Sequence, residues 1–153
     1  MSEPELDKLR RLATVEHGLC TFVCLDSTGS PHVSVVNAGI ADHPVTGEPA
    51  VAAVLSGAAH KAKLLRVDSR AAVLFRHEWD WAGVRGRAQL FGPDDPVDGF
   101  DSAGVAAVLR DVFTAAGGTH DDWDEYDAVM AQERRVAVFV STDRVTSNPG
   151  STS

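Results

Sequence analysis

Two cysteines, one tyrosine and 14 basic residues against 22 acidic ones are what this 153-residue chain is short of. Cys20 and Cys24 stand in "LCTFVCLD". On an extended strand such a pair lies roughly 13 Å apart, beyond the reach of a disulfide. Two thiols also make no metal site without further ligands, so both read as small buried hydrophobes. The net charge of −8 excludes a general affinity for nucleic acid or for an anionic membrane. No stretch approaches the roughly 18 apolar residues of a membrane-spanning helix. The opening "MSEPELDKLRRLATVEHG" lacks an apolar signal core, so a cytoplasmic protein is expected. Catalytic motifs are missing too: G-x-S-x-G, H-E-x-x-H, C-x-x-C and a post-strand G-x-G-x-x-G are all absent. The six histidines are scattered, and "THDDWDE" reads as an acid-rich helix start rather than a metal site. Hydrolysis by protein groups is therefore unsupported, and an enzyme of this kind would rely on a bound cofactor.

What is present is a core. Hydrophobic residues make up 44% of the chain, enough for one domain over residues 1–149 with a frayed tail at 150–153. Residues 3–16 space leucines as an amphipathic helix, with Gly18 as its stop. "LCTFVCL" (19–25) and "HVSVVNA" (32–38) read as a hairpin across "DSTGSP", and "GIADHPVTGEP" reads as a loop. Strands are predicted at 50–56, 70–77, 81–92 and 134–142, with a short helix at 59–67. Two further helices follow from Val105, Val108, Leu109, Val112 and Phe113, and from Trp123, Tyr126, Val129 and Met130, each set on one face. Hairpin connections dominate and βαβ alternation is missing, which favours an antiparallel sheet over a Rossmann fold. Six or seven such strands close into a small β-barrel with peripheral helices, an α+β arrangement.

Charge is unevenly spread. Residues 57–90 hold seven of the 14 basic residues and three acids, so that segment is +4 in a chain that is otherwise −12. Such an island suggests a localised anionic ligand. Lys61 and Lys63 sit near the start of the short helix, where free N–H groups and the dipole favour an anion. Ser56 and Gly57 add a hydroxyl and a closely approachable backbone. The same lysines also fit an ordinary solvated face, because residues i and i+2 of a helix point about 200° apart. Arg66 and Arg70 read as solvated flank. Arg85 and Arg87 share a strand face, as rim charges or as partners for a phosphate or carboxylate. Trp79 and Trp81, read on one strand, wall a planar ligand or belong to core or interface. Ser34 and Asn37 either hydrogen-bond a ring or end their strand.

Four pieces in order, "TFVCLDSTGSPHVSVVNAG", "HKAKLLRVDSRAAVLF", "VRGRAQLFGPDDP" and "RRVAVFVSTDRVTSNP", carry a resemblance. From about residue 5 to 149 the chain resembles the pyridoxamine 5′-phosphate oxidase-like, FMN-binding split-barrel flavoproteins. Within them it looks like the small actinobacterial branch that uses the deazaflavin coenzyme F420. The resemblance implies that Lys61 and Lys63 bind the cofactor phosphate, although His60 and Leu64 depart from the arginine and asparagine of many relatives. It implies that Ser34, Val36 and Asn37, with Val54, Leu55, Ser56 and Gly57, line the ring system. It further implies a homodimer with two cofactor sites at the interface, approached by Trp79, Trp81 and Asn148. The expected activity is that of an F420H2-dependent reductase, an oxidoreductase passing hydride to a small electron-poor, planar or conjugated substrate. The alternatives are an FMN-dependent oxidase or reductase, and a non-catalytic carrier of a flavin, haem or tetrapyrrole.

Overall fold

A computed structural model describes residues 3–149. Its elements are α1 (Glu5–Ala13), β1 (Leu19–Leu25), β2 (Pro31–Asp42), β3 (Pro49–Ser56), α2 (His60–Val67), β4 (Arg70–His77), β5 (Asp80–Phe91), α3 (Ser102–Ala115), α4 (Trp123–Gln132), β6 (Arg135–Ser141) and β7 (Arg144–Ser147). The order β4-β1-β2-β3-β6-β5 closes through a β4–β5 pairing, and every pairing is antiparallel. The expected barrel with peripheral helices is the observed one.

The barrel interior is built by alternation. Phe22, Val73, Phe75, Val84, Val136 and Val138 point inward and are at most 2% exposed. Leu9 and Leu12 of α1 join the same core. β3 and β6 are buried on both faces, which accounts for their unbroken apolar runs. Their outward residues Ala52, Ala137 and Phe139 pack with Val108, Leu109, Val112 and Tyr126 of α3 and α4 in a second core.

Several elements differ from the sequence-based expectation. β2 runs on to Asp42, so the predicted loop is half strand; Ala38 to Asp42 pair with β3. β6 ends at Ser141, and a separate β7 pairs with the start of β5. Four residues with a half-exposed pattern carry too little periodicity to announce a strand. Trp79 lies in a turn, not on β5, because Glu78 turns the chain at φ +54°; its side chain is 87% exposed. On α4 only Tyr126 is buried and Val129 faces solvent. Arg66 is exposed, as expected of a flank, but it is also tethered: it donates to both Asp95 carboxylate oxygens at 2.8 Å and to the Gly57 carbonyl at 3.0 Å. The predicted tail at 150–153 lies outside the described residues.

Candidate functional site

β2 changes partner midway. Residues 31–37 pair with β1, whereas residues 38–42 pair with β3. The last residues of β3, Val54 to Ser56, pair only with β6. The two strands therefore part at Ala38 and Ala53, and a groove of about 450 Å³ opens there. Val36, Asn37, Val54, Leu55 and Ser56 line it along the strands. Phe113 from α3, with Tyr126 and Met130 from α4, forms the opposite wall. Lys61 and Arg135 supply its charge.

Two close approaches set its edges. A Cβ on Gly39 would lie 2.1 Å from the Ala115 carbonyl, so a bare backbone at Gly39 lets α3 settle on β2. At Gly57 a Cβ would lie 2.4 Å from the Arg134 carbonyl, which instead accepts the Gly57 N–H at 3.1 Å. The chain then turns through an Ala59 N–H to Ser56 carbonyl bond and enters α2. Ala59 caps α2 with no side-chain hydrogen bond. The first-turn N–H groups of α2 are thus left without a side-chain acceptor.

Lys61 makes no hydrogen bond or ion pair among the described residues. Arg135 has only the Glu133 carboxylate, one oxygen at 3.3 and 3.4 Å. The groove therefore presents two cations to an anionic guest. Tyr126 is a wall rather than an acid: its hydroxyl donates to the Leu109 carbonyl at 3.1 Å. Burial, helped by neighbouring Asp127, pushes its phenol up to about 12.

Other predicted site residues lie elsewhere. Lys63 is exposed and does not line the groove, because α2 is already helical at His60 and turns the side chain away from Lys61. Ser34 does not line the groove: it pairs with Phe22 on β1, and its buried hydroxyl has no partner among the described residues. Trp81 and Arg85 line a separate, smaller groove of about 260 Å³ with Val23, Leu74 and Thr146. Asn148 is a clasp: it accepts from Lys8 Nζ at 2.8 Å and Trp81 N–H at 3.0 Å, and donates to the Trp79 carbonyl at 2.6 Å. Asn37 donates its amide to the His17 carbonyl. Among the described residues no group of three or more histidine, cysteine, aspartate or glutamate side chains is placed to hold a metal ion.

Sequence reasoning did not propose Phe113, Tyr126, Met130 or Arg135 for the site. The first three were assigned to helix stripes, and a helix stripe does not reveal that its end overhangs a gap in a barrel. Arg135 had one usable signal, the second basic residue of "RR" at a strand start across the sheet from Ser56.

No helix of the described residues is long and apolar enough to cross a membrane. No family model matches the chain. Among solved structures it is similar to a haem-binding protein from Mycobacterium smegmatis, at 16% identity and TM-score 0.68 over 100% of this chain and 57% of the other. It is similar to conserved hypothetical protein Rv2991 from Mycobacterium tuberculosis, at 18% identity and TM-score 0.66 over 100% and 95%. An F420 reductase matches at 14% identity and TM-score 0.54 over 84% of this chain and 88% of its own. At such identities these likenesses establish the fold alone, an antiparallel split barrel with peripheral helices.

Proposed function

We propose that the protein is an F420H2-dependent reductase that uses the groove between β2 and β3. The observation that carries this reading is the junction of β3 and α2: an uncapped helix start, the Ser56 hydroxyl and an unpaired Lys61 meet at one end of a groove walled by Phe113, Tyr126 and Met130. An anionic phosphate is favoured by the first-turn N–H groups and the ammonium together. A planar ring is favoured by the aromatic wall and the strand backbones. When bound, the reduced deazaflavin supplies a hydride. The chain itself positions the two reactants, keeps water from the ring through its apolar wall, and offers no nucleophile. Lys61 is the phosphate partner here, while Lys63 adds only long-range charge.

The working form in this reading is a homodimer. Leu19, Val33, Val35 and Leu74 form an exposed apolar strip on the outside of β1, β2 and β4. A strip of this kind on a barrel wall is covered favourably by a second copy. The groove opens beside it, since Val35 belongs to both.

Similarity to a haem-binding protein of the same fold supports a carrier as the second reading. Titration of the purified protein with F420, FMN and haem, followed by fluorescence or absorbance, separates the readings. Tightest binding of F420, followed by turnover of its reduced form with quinones or enones, is the expected result. Tighter FMN binding rejects the deazaflavin assignment in favour of an FMN enzyme. Tightest haem binding without turnover makes the protein a carrier.

A further inference from the structure

A second groove, of about 510 Å³, lies between α3, α4 and the segment that links β5 to α3. It shares only Met130 and Arg135 with the first groove. Phe100, Val105, Leu109 and Met130 give it apolar walls. Its size falls within the roughly 300–1,000 Å³ of small-molecule sites.

The ionised groups around it differ in what they already hold. Asp127 accepts from Arg110 Nε at 2.9 Å. Arg134 is paired with Asp94. Asp101 caps α3 by accepting the Gly104 N–H at 2.9 Å. Arg135 alone is poorly matched, meeting a single oxygen of Glu133 at 3.3 and 3.4 Å. A guanidinium prefers two parallel bonds to both oxygens of one carboxylate. A guest carboxylate can supply that geometry where Glu133 does not.

We infer that this groove binds an amphipathic monocarboxylic acid, its apolar body between α3 and α4 and its carboxylate on Arg135. The site is independent of what the first groove binds, apart from the shared Met130 and Arg135. Ala106 on α3 and Ala131 on α4 line this groove alone, so substitutions there test it without entering the first.

The probes are 4-phenylbutyrate and, with the same apolar body and opposite charge, 4-phenylbutylammonium. Calorimetric titration of the full chain should show saturable binding of the acid, about tenfold tighter than of the ammonium. Arg135→Gln should abolish that preference. Ala106→Trp should remove binding of both probes while F420 or inorganic phosphate still titrates the first groove. Amide-shift mapping on the unaltered protein localises the acid even if the tryptophan variant folds poorly: Ala106 and Ala131 should move, and Val36 and Lys61 should not. The inference is overturned by equal affinity for the two probes, by no saturable binding in the millimolar range, or by shifts centred on Val36 and Lys61.

Discussion

The outward row of β2 crosses two environments. Val33 and Val35 lie bare at 61% and 68% exposure, whereas Gly39 and Ala41 of the same row lie under α3. The barrel wall is apolar on its outside in both halves, yet among the described residues only the β3–β6 side has helices, α3 and α4, packed on its outer face. On that side the outward residues are small or aromatic and closely fitted, such as Ala50, Ala52 and Phe139. On the other they are β-branched and leucine side chains left exposed among the described residues, Leu19, Val33, Val35 and Leu74. Alternation alone thus makes a barrel, and the cover decides what each face is for. The candidate groove sits on the seam, where β2 leaves the covered half for the bare one.

The sharpest way to break the covered half is Phe139→Ala. Phe139 is 1% exposed and meets Phe91 edge-on at 5.5 Å and His43 at 5.6 Å. Truncating a buried aromatic of this kind costs about 3–5 kcal/mol. Urea unfolding should show a loss of that size; a loss below about 1 kcal/mol would mean that the helices do not pack on this face as described.

Next in size is Gly39→Ala, which sets a methyl against the Ala115 carbonyl at the point where α3 crosses the seam. Overpacking a fitted contact costs about 1–3 kcal/mol. Because Phe113 stands near the end of α3 and walls the groove, cofactor titration should weaken together with stability. Unchanged midpoint and unchanged titration would show that the close approach does not set the groove.

Lys61→Ala tests the seam itself. Loss of a charge-assisted bond to phosphate is worth about 1.5–3 kcal/mol, so F420 affinity should fall by about tenfold or more. Lys63→Ala should change it by less than about threefold, since only long-range charge is removed. Equal losses in the two variants would put both lysines on the phosphate.

How far the sequence carried these assignments depends on how local each determinant is. The apolar runs at 50–56 and 134–142 reveal two strands, and "DSTGSP" reveals the β1–β2 turn; that β3 and β6 are the strands covered on both faces follows only from where α3 and α4 settle. The short β7, held to β5 from Ala82 to Arg85, has no periodic signature because its stability is borrowed from its neighbour. Lys61 was conspicuous as a positive charge in an acidic chain. Lys63 came with it because spacing does not say whether a helix has begun, and only the turn at Ser56 to Ala59 decides that. Trp79 was misplaced for a comparable reason, since one left-handed residue, Glu78, ends the regular alternation. Phe113, Tyr126 and Met130 are tertiary neighbours from separate helices, and no pattern along the chain brings them together.

Alkaline titration probes the inside of the wall common to both halves. Burial pushes the Cys20 thiol from 9.0 up to about 12, and Cys24 is also raised by burial, against the pull of Lys61. A raised thiol pKa means that the unfolded chain loses its proton first. Stability is then intact below about pH 9 and falls as pH rises from there toward 12. The Cys20 thiol contributes a slope of up to about 1.4 kcal/mol per pH unit in that window. Native protein at pH 8 should leave both thiols unreactive to a disulfide reagent, and urea should expose both together. Rapid reaction of one thiol in native buffer would show that the wall opens locally.

The smallest effect on stability belongs to the bare half, and it sharpens the comparison most. Val33 opposes Val23 on β1 and is 61% exposed, so Val33→Asp in the isolated protomer should stay within about 0.5 kcal/mol. Its effect should appear in assembly instead, because a carboxylate buried between two copies pays desolvation without a partner. Sedimentation equilibrium should therefore report a dimer for the unaltered chain and a monomer for the variant, at nearly equal urea midpoints once the protein is dilute. A variant that remains dimeric would place the interface elsewhere. A variant that loses several kcal/mol while monomeric would show that the bare strip is already covered within the chain, and the contrast between the two halves would fall with it.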